Sequence, residues 1–171
     1  MSTSLKQDIC DIGTPGVHLT DVTTIRIQKS LPPEVQYACL YWASHLHKSG
    51  SRLFDNSHVH QFLQKHLLHW LEALSWMRKM REGILAINSL VSIALVSLRI
   101  LTSPKITTNC FLRLVTVLSS ASSRIQDVKR FAQYNLPVIE QAPLQVYLSA
   151  LVFAPVRSLV RNRFKTKHFD G

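Results

Sequence analysis

Apolar residues recur at helical spacing in the first third of the chain. The run begins beside Pro32 and Pro33, which suit the first turn of a helix because the amide they lack would have no partner there. Its apolar positions repeat every three or four residues and form one stripe: Val35, Ala38, Cys39, Trp42 and Leu46. The pattern predicts an amphipathic helix that ends before Gly50.

A second and longer stripe follows three polar residues, Asp55, Asn56 and Ser57, which are favoured at the start of helices. It keeps a 3.6-residue period for about five turns. Its members are Val59, Phe62, Leu63, Leu67, Trp70, Leu71, Leu74 and Met77. The length and density of this stripe predict a long helix that is packed against other helices.

The rest of the chain contains weaker helical patterns. A third helix is predicted over residues 84–96, after a break at Gly83, and a fourth over residues 124–134. Pro137 and Pro143 are each expected to open a further short helix. Residues 97–123 mix β-branched residues with serines, so strand, helix and loop all stay open there.

These patterns predict an all-α fold, either a helical bundle or a short stack of helical pairs, with an irregular segment around residues 97–123. Only 5 of 171 residues are glycine, which disfavours a turn-rich β-sandwich. The uncharged run over residues 83–98 is shorter than the roughly 20 residues that a membrane-spanning helix needs, so a buried helix is expected.

The formal net charge is +10, and the densest basic stretch lies near the C-terminus. It comprises Arg157, Arg161, Arg163, Lys165 and Lys167. Such charge suits an acidic partner, but no nucleic-acid-binding motif accompanies it. A solvated C-terminal helix or tail is therefore expected, with weak nonspecific nucleic-acid binding as an alternative.

No catalytic, cofactor or metal motif is found in the sequence. There is no phosphate-binding glycine loop, no nucleophile elbow and no zinc-protease motif. His66 and His69 have the spacing to share a ligand on one helix, but a zinc site would need further converging ligands. The three cysteines are far apart, and buried free thiols in a reducing compartment are expected. We therefore expect no catalytic, cofactor-binding or metal-binding residue, and a protein that is not an enzyme.

Three long strings of this sequence resemble one protein family: LPPEVQYACLYWASHL, FLQKHLLHWLEALS and DVKRFAQYNLPVIEQAPLQVYLSALVFAP. They are similar to the helical region that follows the NACHT nucleotide-binding domain in fungal NLR-like STAND proteins. These include the vegetative (heterokaryon) incompatibility proteins with WD repeats. The resemblance implies a fragment of such a protein, because the nucleotide-binding motifs and the repeats of the family have no counterpart here.

The resemblance also suggests a division of the chain into five parts. Residues 1–20 would be a short helix and loop that ends a winged-helix-like region. Residues 21–92 and 126–164 would be the two parts of a helical arm. Residues 93–125 depart from the family pattern and look like an insertion, and residues 165–171 would be a basic tail.

The resemblance implies a non-catalytic, cytoplasmic module that relays conformational change between domains. The expected partners are adjacent NACHT or WD-repeat domains, or a full-length relative; the alternative is a free-standing modulator of such a relative. Trp is enriched both in cores and at interaction hot spots. The structural or interaction residues that we expect to matter are Trp42, Leu67, Trp70, Leu71, Leu74, Tyr147 and Leu151.

Overall fold

The computed structural model describes residues 4–49, 57–101 and 109–169. All regular structure in these ranges is helical, which confirms the predicted all-α class. Short 3-10 turns lie at Leu19–Asp21 and Pro143–Tyr147. The helices are α1 (Thr24–Ser30), α2 (Pro33–Lys48), α3 (Ser57–Trp76), α4 (Met80–Leu101), α5 (Asn109–Gln141), α6 (Ser149–Phe153) and α7 (Leu159–Phe169).

Helix α3 is the centre of the fold. It contacts α2, α4, α5 and the Pro143–Tyr147 turn, while α4 packs on both α2 and α5, and α7 packs on α5 and α6. Every residue of α3 from position 70 to position 76 is buried. Other elements therefore cover this C-terminal part of α3 on all sides, whereas its N-terminal half keeps an exposed face at residues 58, 61 and 65.

An aromatic cluster joins α2 to α3. The ring centroid of Trp42 lies 4.9 Å from that of Phe62 and 5.6 Å from that of Trp70. The indole Nε1 of Trp70 donates a hydrogen bond of 2.9 Å to the carbonyl of Cys39 in α2. The indole Nε1 of Trp42 is buried and has no hydrogen-bond partner among the described residues. The two tryptophans therefore differ both in burial, which is complete only for Trp70, and in hydrogen bonding.

The break between α3 and α4 lies at Arg78, so the predicted break at Gly83 was wrong. Arg78 has a φ of 58°, its amide donates to the carbonyl of Ser75 at 2.8 Å, and the amide of Lys79 donates to the carbonyl of Leu74 at 2.8 Å. This is a Schellman ending, which needs one residue in the left-handed region. Gly83 lies inside α4, where a Cβ atom would collide with the side chain of Leu74, so the glycine allows α3 and α4 to approach closely.

The expectation that Pro137 opens a helix was also wrong, because α5 continues through it to Gln141. Proline removes one intrahelical hydrogen bond, but here it lies near the helix end, where packing against α3 and α4 supports the backbone. The carbonyl of Ile139 belongs to the last turn and would lack an intrahelical donor. The hydroxyl of Ser75 on α3 donates to it at 2.5 Å. Pro143 does open a short element, but that element is a 3-10 turn.

The segment that the sequence left undecided is mostly helical. Residues 97–101 complete α4 and residues 109–123 begin α5, while residues 102–108 lie outside the described residues. Propensity is a weak prior, and extensive packing between α4 and α5 outweighs it here. At the other end, residues 4–18 form turns rather than the short helix expected there. The division into five parts stays a prediction.

No helix within the described ranges combines the length and the hydropathy that crossing a membrane requires.

We predict that Trp70→Phe lowers the free energy of unfolding more than Trp42→Phe, by about 1 kcal/mol. Trp70 is fully buried and Trp42 only half-buried, and only the first change removes a hydrogen bond, the one to the Cys39 carbonyl. Urea unfolding of the two variants, followed by circular dichroism, measures the difference. Equal losses would show that the indole hydrogen bond contributes nothing to the joint between α2 and α3.

Candidate interaction site

The structure places the predicted interaction residues mainly in the interior. Leu67, Trp70, Leu71 and Leu74 lie on α3, Tyr147 ends the 3-10 turn, and Leu151 lies on α6; all six are buried. Trp42 on α2 is half-buried and packs against the core. These side chains hold the module together, and a neighbouring protein could not reach most of them. Their part in an interaction stays a prediction.

A buried carboxylate, Glu72, joins three separate parts of the chain. Its Oε1 accepts hydrogen bonds from the amide of Ile9 at 2.8 Å and from the indole Nε1 of Trp76 at 3.1 Å. Its Oε2 accepts from the amide of Asp8 at 3.1 Å and from the hydroxyl of Tyr147 at 2.6 Å. The N-terminal turns and the Pro143–Tyr147 turn are thereby fixed to the same point on α3.

Burial raises the pKa of Glu72 to about 7, although all four donors oppose that shift. The donors are Tyr147, Ile9, Trp76 and Asp8, in decreasing order of effect. Burial also raises the pKa of Tyr147, and the nearby charge of Glu72 adds to that rise. The Glu72 carboxyl therefore changes its charge near neutral pH without contact with solvent.

The N-terminal turns are stabilised by further polar contacts. Asp8 has a φ of 52°, and its carboxylate accepts from the amides of Ile12 at 2.8 Å and Gly13 at 2.7 Å. Arg26 on α1 donates to the carbonyls of Cys10, at 2.9 Å, and of Asp11. These contacts satisfy backbone groups that a segment without regular structure would otherwise leave unpaired.

A groove of about 370 Å³ lies between α3, α5 and α7. Its inner walls are apolar side chains that are otherwise buried: Val59, Leu63, Leu67, Ile125, Val128 and Phe164. Polar and cationic side chains stand around its mouth, where Arg124 and Arg163 are exposed. A concave apolar site with a few polar groups is the usual form of a small-molecule pocket.

His60 stands between the cations at the mouth of the groove. Its Nε2 lies 2.6 Å from Nη1 of Arg124 and 2.5 Å from the amide nitrogen of Gln64. A guanidinium group can only donate, so this nitrogen accepts from Arg124, which requires the neutral form of the imidazole. Burial lowers the pKa of His60, and the charges of Arg124 and Arg163 lower it further. The mouth therefore carries two guanidinium charges without a third from the imidazole.

Helix α7 forms the third wall of the groove, and Asp127 of α5 holds the start of this helix in place. Its Oδ2 accepts from the hydroxyl of Ser158 at 2.9 Å and from the amide of Val160 at 3.0 Å. Both donors stand at the N-terminus of α7, where a carboxylate satisfies free amides and suits the helix dipole. Arg161 adds a bond of 2.6 Å to the carbonyl of Ala154.

Exposed apolar side chains are frequent in residues 148–159. Phe153 is 73% exposed and Val156 is 75% exposed, and Leu148 and Val152 are partly exposed beside them in the chain. A second exposed pair is Tyr37 and Tyr41 on α2, with ring centroids 4.8 Å apart. Exposed apolar groups that lie close together are typical of surfaces that meet another protein.

The histidine-rich region does not form a ligand cluster in the described ranges, where no three His, Cys, Asp or Glu side chains converge on one point. The rings of His66 and His69 lie 5.7 Å apart, centroid to centroid. His66 also stacks near Phe62, at 5.9 Å. These contacts are those of packed side chains.

The family resemblance is supported by a known protein. The chain is 36% identical over 174 aligned positions to the vegetative incompatibility protein HET-E-1 of Podospora anserina. The chain is a relative of HET-E-1. The match covers 96% of this chain and 11% of HET-E-1, so the chain spans about a ninth of the length of that relative. No family model matches the chain, and no solved structure does.

Of the residues in the Glu72 network and in the groove, only Tyr147 and Leu67 were among the predicted ones. Glu72 had a usable signal, since a carboxylate within the apolar run of α3 has to be buried and hydrogen-bonded. Asp127, Arg124 and Arg163 had none, because they look like ordinary surface charges. Only the packing of α7 on α5 brings them to one place.

We predict that Glu72→Gln lowers stability most at acidic pH. The pKa of about 7 in the folded state exceeds the ordinary glutamate pKa of 4.5, so the folded state binds the proton more tightly. The stability that this proton contributes is complete below about pH 4.5 and is lost as pH rises through 7, by about 3 kcal/mol. In the variant the side-chain nitrogen of glutamine faces the backbone amide of Asp8, so two donors meet and the free energy of unfolding falls by about 1–3 kcal/mol.

The gap in free energy of unfolding between wild type and Glu72→Gln should therefore narrow or reverse between pH 5 and pH 8, as measured by urea titration. Glu82→Gln is the matched control, because Glu82 is an exposed carboxylate paired with Lys79 on the protein surface. It should show no such trend. A gap that stays constant with pH would contradict the burial of an ionisable Glu72.

Proposed function

We propose that this chain is a non-catalytic helical module that holds neighbouring domains of a fungal NLR-like incompatibility protein in a defined arrangement. The observation that supports this most directly is the match itself, in which almost the whole chain aligns with a small part of HET-E-1. A segment within a much larger protein is joined to the domains on either side of it and is well placed to contact them. This role needs rigid packing and an exposed contact surface rather than reactive groups.

The packing of the module suits such a role. Glu72 joins the N-terminal turns, the C-terminal end of α3 and the turn before α6 through four hydrogen bonds. A force applied at the first residues of the chain would reach the later helices through that point. We propose that this connection transmits movement of one neighbouring domain to another.

The contact surface that we propose is centred on Phe153 and Val156. Both side chains are about three-quarters exposed, and they flank the junction between α6 and α7. Full burial of such a side chain contributes roughly 1.5–3 kcal/mol. Two of them could therefore supply much of the affinity of a domain contact.

We place the protein in the cytoplasm. Cys10 and Cys39 are buried, and burial raises the pKa of each thiol to about 11. Both are therefore protonated at neutral pH and react slowly, as free cysteines of a reducing compartment do.

The test measures binding of the purified chain to purified HET-E-1, once intact and once lacking the segment that matches this chain. An inter-domain module should bind only the shortened protein, because the intact one already fills the position. Biolayer interferometry gives the affinity. Binding to the intact protein would instead support the alternative, a modulator that acts on a full-length relative. No binding to either would overturn both.

We predict that Phe153→Ser combined with Val156→Ser weakens this binding by at least tenfold, because two exposed apolar contacts are lost. Tyr134→Ser is the matched control, since Tyr134 is 74% exposed on α5 and lies outside the proposed surface. Circular dichroism should show unchanged helicity for both variants. An unchanged affinity in the double variant would exclude this surface.

A further inference from the structure

We propose that the groove between α3, α5 and α7 binds a fatty acid, that is, a single apolar chain that ends in a carboxylate. The groove has an apolar part and a cationic part, which match the chain and the carboxylate of such a molecule. Its walls are buried apolar side chains from three helices, and its mouth carries guanidinium groups. This site is separate from Phe153 and Val156, so its failure would leave the proposed function standing.

The mouth of the groove attracts an anion because its cations are not neutralised. Neither Arg124 nor Arg163 has a carboxylate within ion-pair distance among the described residues. After burial, which is the larger cause, the charges of both arginines lower the pKa of His60 further. The nearest carboxylate on α5, Asp127, is occupied by the N-terminus of α7. A bound carboxylate would supply the missing charge and could accept from both guanidinium groups.

The interior of the groove supplies the site for the chain. Val59, Leu63 and Leu67 occupy successive turns of α3, and Ile125 and Val128 face them from α5. No polar side chain among the described lining residues lies within this inner part, since His60, Gln64, Asn162 and the two arginines are less buried. A volume of about 370 Å³ is at the small end of ligand pockets, which favours one chain over a bulky ring system.

The shape of the site favours a small molecule over a protein segment. Protein contacts are commonly broad, and their surfaces resemble that around Phe153, where apolar side chains project outward. Here the apolar lining residues are buried except for Leu159, and exposed arginines stand beside them. Each methylene that enters such a groove should strengthen binding about fourfold until the groove is full.

The experiment titrates the full chain with dodecanoate below its micellar concentration, by isothermal calorimetry. We expect one saturable site, about fourfold weaker binding for each methylene removed in the series down to octanoate, and at least tenfold weaker binding for dodecanol. No saturable site, or equal affinity for dodecanol, would overturn the proposal.

Variants locate the site. Arg124→Gln combined with Arg163→Gln should weaken dodecanoate binding at least tenfold, whereas Arg130→Gln, an exposed charge elsewhere on α5, should leave it unchanged. Leu159→Trp should fill the groove from its partly exposed edge and give a similar loss. Thermal unfolding checks that each variant is folded. Equal binding by the double variant and wild type would overturn the proposal.

Two further outcomes identify other occupants. Phe153→Ser should bind dodecanoate as wild type does, and a loss of binding there would show that the molecule attaches to the exposed apolar surface instead. If the double arginine variant loses affinity for HET-E-1 while wild type binds no dodecanoate, the groove is a protein contact and the fatty-acid proposal is wrong.

Discussion

One buried carboxylate determines how the parts of this molecule fit together. Glu72 is fully buried near the C-terminal end of α3, and its two oxygens accept four hydrogen bonds from residues as distant in sequence as Asp8 and Tyr147. A buried carboxylate without donors would be very costly, so the surrounding backbone has to take positions that supply them. The N-terminal turns have no regular structure of their own, and this requirement gives them a fixed place.

Side chains also satisfy unpaired backbone groups at two helix ends elsewhere in the fold. Ser75 satisfies the last turn of α5, and Asp127 satisfies the first turn of α7. In each case a side chain from one helix completes the end of another, where backbone groups lack partners. Such contacts specify the arrangement of helices, which apolar packing alone would leave less well defined.

The surface is divided between two kinds of apolar site. At Phe153 and Val156 the side chains project into solvent, which suits contact with another protein. Between α3, α5 and α7 they line a recess behind two arginines, which suits an amphiphilic anion. Both sites depend on the short elements after α5. Asp127 fixes the start of α7, and that contact defines the third wall of the groove.

The sequence by itself determined the helical class, the start of α2 beside Pro33 and the long α3, because apolar periodicity and proline chemistry are local properties. It also indicated the relationship to incompatibility proteins. Tertiary structure alone decided that α5 continues through Pro137 and that residues 109–123 are helical. It also decided that the break between α3 and α4 lies at Arg78 rather than at Gly83. In these places packing between helices outweighs local preference. The Glu72 network and the cationic groove arise for the same reason, since their residues are distant in sequence and meet only when the helices pack.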